Sequence, residues 1–367
     1  MDNFRFYLPT EVFAGRECVR VHANAWVLGR KALVVTGRQG AKVSGALEDV
    51  LAVLKRWSVE ATVFDGVSAN PDVEQVYAGV AAAEGCDFVV AVGGGSPMDA
   101  AKAIAWAAGA DIPRETFLRR TPVTGERVLP IVAVPLTCGT GSEVTPYAII
   151  TDHVAQTKVN ISGPALFPRV ALLDAHYLES LPKATVCDTA LDALSHAIEG
   201  AYSPRANRMT LAMSEEAIRT LVPELLRLAH GEFVNLSQLQ YAAMLAGMVI
   251  AQTGTGLVHA MGYPLTYHKG LPHGRANGIL LAGYLEFMGN TCATLTGRLL
   301  AAAGLNGPEA LQALVDALLD VTGAEREAPT EEELARFARA PLRLNVVRRY
   351  RTMPSPEEVM DIYRTGF

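Results

Sequence analysis

The sequence predicts a two-part protein: an α/β domain built on a parallel sheet over residues 1–180, then an all-helical domain over residues 181–367. Three observations predict it. Short β-branched runs alternate with helical stretches in the first half. Strand-like patterning almost disappears after Leu181–Pro182. Long Ala/Leu/Glu/Arg segments dominate from there on.

Taken in order, ALVVTG (32–37), ATVFDGV (61–67), DFVVAVGGG (87–95) and PIVAVPLT (130–137) read as strands, rich in Val and Ile and closing on Gly, Thr or a turn residue. Between them, GALEDVLAVLKRW and PDVEQVYAGVAAAEG read as helices, and this alternation predicts a parallel sheet covered on both faces. YAIITD, KVNIS and RVALLD follow as further short strands. In the second half, MTLAMSEEAIRTLVPELLRLAH and GPEALQALVDALLDVTG are helical. No internal repeat or long linker interrupts the chain, which predicts two domains packed around a cleft. The most hydrophobic segment, YAAMLAGMVIAQTGTGLVHAMG, is broken by Gln252, Thr253, Thr255 and His259, so it reads as a core helix and not as a membrane span.

Hydrophobic residues make up 50% of the 367 residues and charged ones 19%, a globular composition. The net charge of −6 argues against a nucleic-acid or anionic-membrane partner, since both require a basic face. An anionic ligand must then be held by backbone amides, helix ends or a few basic side chains. Five cysteines without CxxC spacing read as buried thiols in a reducing compartment. The opening MDNFRFYLPTEVF has no long apolar run, so a cytoplasmic protein is expected.

The segment DFVVAVGGGSPMDAAKAIA ends an apolar strand in glycines and starts a helix at once. Ser96 is placed as N-cap, Pro97 at the first helical position and Asp99 three residues after the cap. Gly94 and Gly95 would let a ligand touch the backbone, and the helix N-terminus suits a pyrophosphate. The match to GxGxxG is poor, and alone the segment fits a tight turn equally well. VPLTCGTGSEVTP follows the next strand and offers the hydroxyls of Thr137, Thr140 and Ser142. Two such loops at the carboxyl ends of neighbouring parallel strands favour a dinucleotide.

DTALDALSHAIEG contains Asp192 and His196, four residues apart and therefore on one helix face. A lone Asp–His pair is usually a hydrogen-bonded core pair. With His259 and His273 it becomes one carboxylate and three imidazoles, a set that suits Fe(II) or Zn. His268, in TYHKG, reads as an exposed loop side chain.

GGGSPMDAAKAIA, PLTCGTGSEVTP, DALSHAIEG and GLVHAMGYPL…PHGRANGILL resemble the signature segments of the iron-containing (group III) alcohol dehydrogenase family, in that family's order, from YLPTEVFAG to at least Leu281. The resemblance implies an N-terminal domain that binds NAD(P) and a helical domain whose metal ligands are Asp192, His196, His259 and His273. His268 matches no ligand position. Asn70 in SANPD and Lys158 match family positions near the cofactor. The implied activity is a metal-dependent, NAD(P)-linked alcohol dehydrogenase or aldehyde reductase. Hydride would pass between nicotinamide C4 and a small alcohol or aldehyde, diols included, whose oxygen binds the metal. A homodimer is expected.

The departures carry information. Gly262–Tyr263 stand where the family often has Ala–His. Tyr263 either lines the substrate pocket or relays a proton as a catalytic residue. A phenol with a pKa near 10 is poorly matched to neutral proton transfer, which favours lining. Pro135–Leu136–Thr137 carries one hydroxyl fewer than the family's frequent PTT. Gly37 stands where members that prefer NAD usually have an acidic residue, and Arg38 or Lys42 could face a 2′-phosphate, which favours NADP over NAD. The alternative is that Gly37 only ends a strand. Two rival functions are a lyase of the dehydroquinate synthase type and a non-catalytic metal-binding protein. The first needs a cluster of Arg and Lys where DALSHAIEG and GLVHAMG are apolar, and the second leaves the two glycine-rich loops unexplained.

Overall fold

Among the described residues, eight strands form in the first half: β1 (Glu11–Ala14), β2 (Lys31–Gly37), β3 (Glu60–Val67), β4 (Phe88–Gly93), β5 (Ile131–Pro135), β6 (Tyr147–Asp152), β7 (Thr157–Ser162) and β8 (Val170–Leu173). The computed structural model describes residues 3–119, 122–125, 127–154, 157–324, 326–343 and 353–367. Six strands make one sheet in the order β1-β8-β5-β4-β2-β3, every pairing parallel. Composition sets each strand's place. FVVAVG is buried at every position and lies inside the sheet as β4, whereas β3 alternates with exposed residues and lies at an edge.

The hairpin is a departure. YAIITD and KVNIS do not join the parallel sheet but pair with each other as antiparallel β6 and β7. Their alternation is that of a sheet with one covered face: Ala148 and Ile150 are buried while Tyr147, Ile149 and Thr151 are partly exposed. β1 had no apolar run to mark it. It gains its place by pairing with β8, Glu11 opposite Val170.

Beyond Leu181, every described regular element is helical. The chain divides into two compact units, and two short stretches cross the expected boundary. Residues up to Tyr7 and Cys138–Thr140 belong with Leu181–Phe367, and the α/β unit comprises 8–137 and 141–180. Within the helical unit, Gln252 binds both backbone groups of Tyr7, accepting its N–H at 3.0 Å and donating to its carbonyl at 2.9 Å. At Gly139 an added Cβ would lie 2.2 Å from the Thr189 carbonyl oxygen, so only glycine permits this approach.

The hydrophobic segment flagged above is two helices, Leu236–Thr253 and Leu257–Lys269, bent by 109° at the break. Gly254 makes the break at φ 74°, a conformation open to glycine. No single described helix is long and apolar enough to cross a membrane.

Candidate metal centre and cofactor loops

In the α/β unit, the helix after β4 runs Gly95–Gly109 with Gly94 at its N-cap, two residues earlier than the expected cap Ser96. The reason is that the Ser96 hydroxyl is engaged elsewhere: it accepts the Asn70 N–H at 3.3 Å. No described side chain caps this helix, which leaves its first amides pointing out of the turn. Asn70 has a positive φ of 56° and accepts from Lys158 Nζ at 2.8 Å through its side chain. Asn70, Ser96 and Lys158 therefore meet. Thr137 closes on Gly94, where an added Cβ would be 2.9 Å from its methyl. Gly37 ends β2 beside Pro97 and Val67, and Arg38 is exposed just past it. Lys42 pairs with Asp65 at 2.7 Å.

Asp99 and Ser142 bond to each other. The Ser142 hydroxyl donates to Asp99 Oδ1 at 2.9 Å, and Asp99 Oδ2 accepts the Ile149 N–H at 3.0 Å. Lys102, 1% exposed, donates to Ser142 Oγ (2.7 Å), Thr145 Oγ1 (3.2 Å) and the Tyr147 carbonyl (2.8 Å). Burial lowers the Lys102 ammonium to about 8 despite Asp99 and Glu143. Burial likewise pushes the Glu143 carboxyl up to about 7 and raises Asp99. Nothing local marks Lys102, because AAKAIA looks like an ordinary helix face. Thr140 falls in the stretch Cys138–Thr140, which belongs with the helical unit.

In the helical unit, Asp192 and His196 lie on one face of the helix Lys183–Tyr202, both buried. His259 sits in the first turn of Leu257–Lys269, and His273 opens the short helix His273–Gly278. The Nε2 atoms of His196, His259 and His273 lie 3.9, 3.7 and 3.9 Å from one oxygen, Asp192 Oδ1. The donor atoms of Asp192, His196 and His259 are all within 4.8 Å of one another. The His196 and His259 rings stack at 4.7 Å, and His259 meets His273 edge-on at 5.3 Å. The His273 side chain is the open side, 33% exposed. His268 lies outside this set, exposed on the last turn of its helix and stacked on Phe337. It is helical and not in a loop, because the helix continues through Pro264 to Lys269.

Charge balance follows from packing. Burial would raise the Asp192 carboxyl, but His196, His273, His259 and the Asn277 amide together hold it below the usual range. Burial lowers the His196 imidazolium, opposed by Asp192. Burial also disfavours charge on His259, yet Glu199 and Asp192 outweigh it and raise its pKa.

Several partners carry no motif of their own. Asn277 Nδ2 donates to Asp192 Oδ1 at 3.0 Å and lies 3.2 Å from His273 Nε2. Its oxygen fills the space beside Gly262, where an added Cβ would be 2.2 Å away. Arg275 makes two bonds to Asp188, 2.9 and 3.0 Å, tying His273's helix to the helix of Asp192. Glu199 sits one further turn along that face, against His259. The signal for Glu199 was available as helical spacing from Asp192 and His196. Asn277, Asp188 and Arg275 depend on tertiary contacts. The Tyr263 ring lies parallel to His273 at 5.8 Å.

An ion fits this donor set. The three separations from Asp192 Oδ1 are too long for hydrogen bonds but short enough for two donors to share one ion at about 2.0–2.2 Å from each. His259 Nε2 is buried with no hydrogen-bond partner among the described residues, a costly arrangement unless something else takes its lone pair.

Two family models match. The one described as iron-containing alcohol dehydrogenase covers residues 9–175, and the C-terminal model of the Fe-containing alcohol dehydrogenase family covers 186–365. Aldehyde-alcohol dehydrogenase 2 of Entamoeba histolytica is 34% identical over 77% of this chain, which spans only 34% of that longer protein. NADPH-dependent butanol dehydrogenase of Clostridium saccharobutylicum is 31% identical over 86% of this chain and 82% of its own length. A crystal structure of a 1,3-propanediol oxidoreductase superposes with a TM-score of 0.85 at 29% identity, covering 100% of both chains.

Proposed function

The chain belongs to the iron-containing alcohol dehydrogenase family, an NAD(P)-linked oxidoreductase class acting on CH–OH groups, and from that premise we propose an NADPH-preferring reductase of small aldehydes whose metal ligands are Asp192, His196, His259 and His273. The observation that carries the reading is the convergence of three imidazole Nε2 atoms on one buried carboxylate oxygen. When bound, iron or zinc supplies Lewis acidity toward the substrate oxygen, and the nicotinamide supplies the two-electron exchange. Asp192 contributes the negative charge, and the three neutral imidazoles contribute lone pairs. The uncapped amides at Gly95 and Ser96 suit a pyrophosphate. The names of two relatives, a butanol dehydrogenase and a propanediol oxidoreductase, support small alcohols and diols as the substrate class. A cytoplasmic homodimer completes the reading.

The direct test is steady NADPH consumption by metal-reconstituted protein with short aldehydes such as butanal. Tight cofactor binding without turnover across an aldehyde panel would overturn the reading.

The preference for NADP rests on Gly37 and on Arg38, because Lys42 is already committed to Asp65. An aspartate fits at position 37, since the nearest atoms to an added Cβ, Pro97 Cγ and the Val67 carbonyl, are 3.6 Å away. Gly37→Asp is expected to lower the ratio of kcat/KM for NADPH over NADH by about tenfold or more, roughly 1.4 kcal/mol. An unchanged ratio would mean that this position does not meet the 2′ group.

Tyr263, stacked on His273, is assigned to lining the substrate pocket. Tyr263→Phe is expected to change kcat and its pH profile little, whereas a proton relay predicts a fall of roughly a hundredfold. A fall of that size at unchanged KM and metal content would move Tyr263 among the catalytic residues.

A further inference from the structure

Glu199 is fully buried and follows His196 on the same helix. Both of its carboxylate oxygens are used. Oε1 accepts the Val258 N–H at 2.6 Å, and Oε2 meets His259 Nδ1. Val258 is in the first turn of Leu257–Lys269, whose N-cap is Gly256, with no side chain to serve it. Glu199 therefore supplies the missing cap and places a negative charge at a helix N-terminus, where it is favoured.

We propose that Glu199 is a positioning residue that fixes His259 with its Nδ1–H on the glutamate and its Nε2 lone pair facing Asp192. The proposal rests on His259 being a metal ligand. A neutral imidazole carries its proton on either nitrogen, and the acceptor-only carboxylate selects the Nδ1–H form. The other nitrogen then carries a lone pair, matching a buried His259 Nε2 that has no hydrogen-bond partner among the described residues. Partners of this kind orient the ligand and raise its basicity. Because Glu199 holds both Val258 and His259, it fixes the ring's position as well as its tautomer.

The test is Co(II) titration of the metal-free full chain, followed by visible absorption. Glu199→Gln either turns its NH2 against the Val258 N–H, losing that contact, or turns it to His259 Nδ1, where it donates and selects the tautomer that carries its proton on Nε2. It is expected to weaken Co(II) binding by roughly 10–100-fold and to shift the Co(II) absorption band, with a native circular dichroism spectrum. Glu199→Asp, which retains the charge, is expected to recover part of both. Wild-type affinity and an unshifted band in Glu199→Gln would overturn the proposal. Asp192→Ala separates the two levels of the argument, since wild-type Co(II) affinity there would overturn the ligand reading itself. Should Glu199→Gln not fold, nitrogen-15 histidine spectra of the zinc-loaded wild type decide. A strongly hydrogen-bonded Nδ1 proton on His259 supports the assignment, and an unprotonated Nδ1 overturns it.

Discussion

Asp192→Ala is expected to purify with almost no bound metal and to lose more than a hundredfold in turnover, beyond the roughly 10–100-fold typical of losing an outer partner. The reason is electrostatic as well as geometric. Asp192 is the group on which all three imidazole Nε2 atoms converge. Removing it leaves three neutral donors and no adjacent negative charge for a divalent ion. The fold should persist, because a desolvated carboxylate is itself a cost that the substitution removes. His273→Ala should lose less metal, since its side chain is partly exposed and lies on the open side of the set. The measurement is elemental analysis of anaerobically purified protein, paired with reactivation by iron or zinc. Full activity in a metal-free Asp192→Ala protein would sink the assignment, and the order in which iron and zinc restore the wild type would identify the working ion.

What the sequence made legible was periodic or punctuated. The parallel strands were visible because both faces of β2, β4 and β5 are covered, which forces continuous apolar runs. The Asp192–His196 pair was visible through its helical spacing. The hairpin's pairing was not, since YAIITD and KVNIS look like any short strands until they find each other. Ser96 shows the limit of cap rules: its hydroxyl serves Asn70, and the helix start moves to Gly94. Glu199 was marked only by its helical spacing from Asp192 and His196, whereas Asn277, Arg275 and Lys102 act through distant partners and carry no local pattern.

Lys102 gives the second large expected effect. Lys102→Met keeps the length of the apolar stem and deletes a buried ammonium. Ser142 Oγ, Thr145 Oγ1 and the Tyr147 carbonyl lose a shared donor. The Asp99 and Glu143 carboxyls lose the cation that offsets their burial. Breaking a buried pair from one side costs about 3–5 kcal/mol, because the remaining charge is left uncompensated. A loss on that scale should appear as a lower urea midpoint for the α/β unit. It should be accompanied by weaker NADPH binding, since Lys102 ties the helix of the first glycine-rich loop to the second loop through Ser142. The companion variant Asp99→Asn removes a carboxylate that the missing cation would strand. In the double variant Lys102→Met/Asp99→Asn, part of the lost stability should return, giving a favourable coupling in a double-mutant cycle. A Lys102→Met protein within about 1 kcal/mol of wild type, or a double variant whose losses simply add, would mean that the ammonium is not what holds the two loops together.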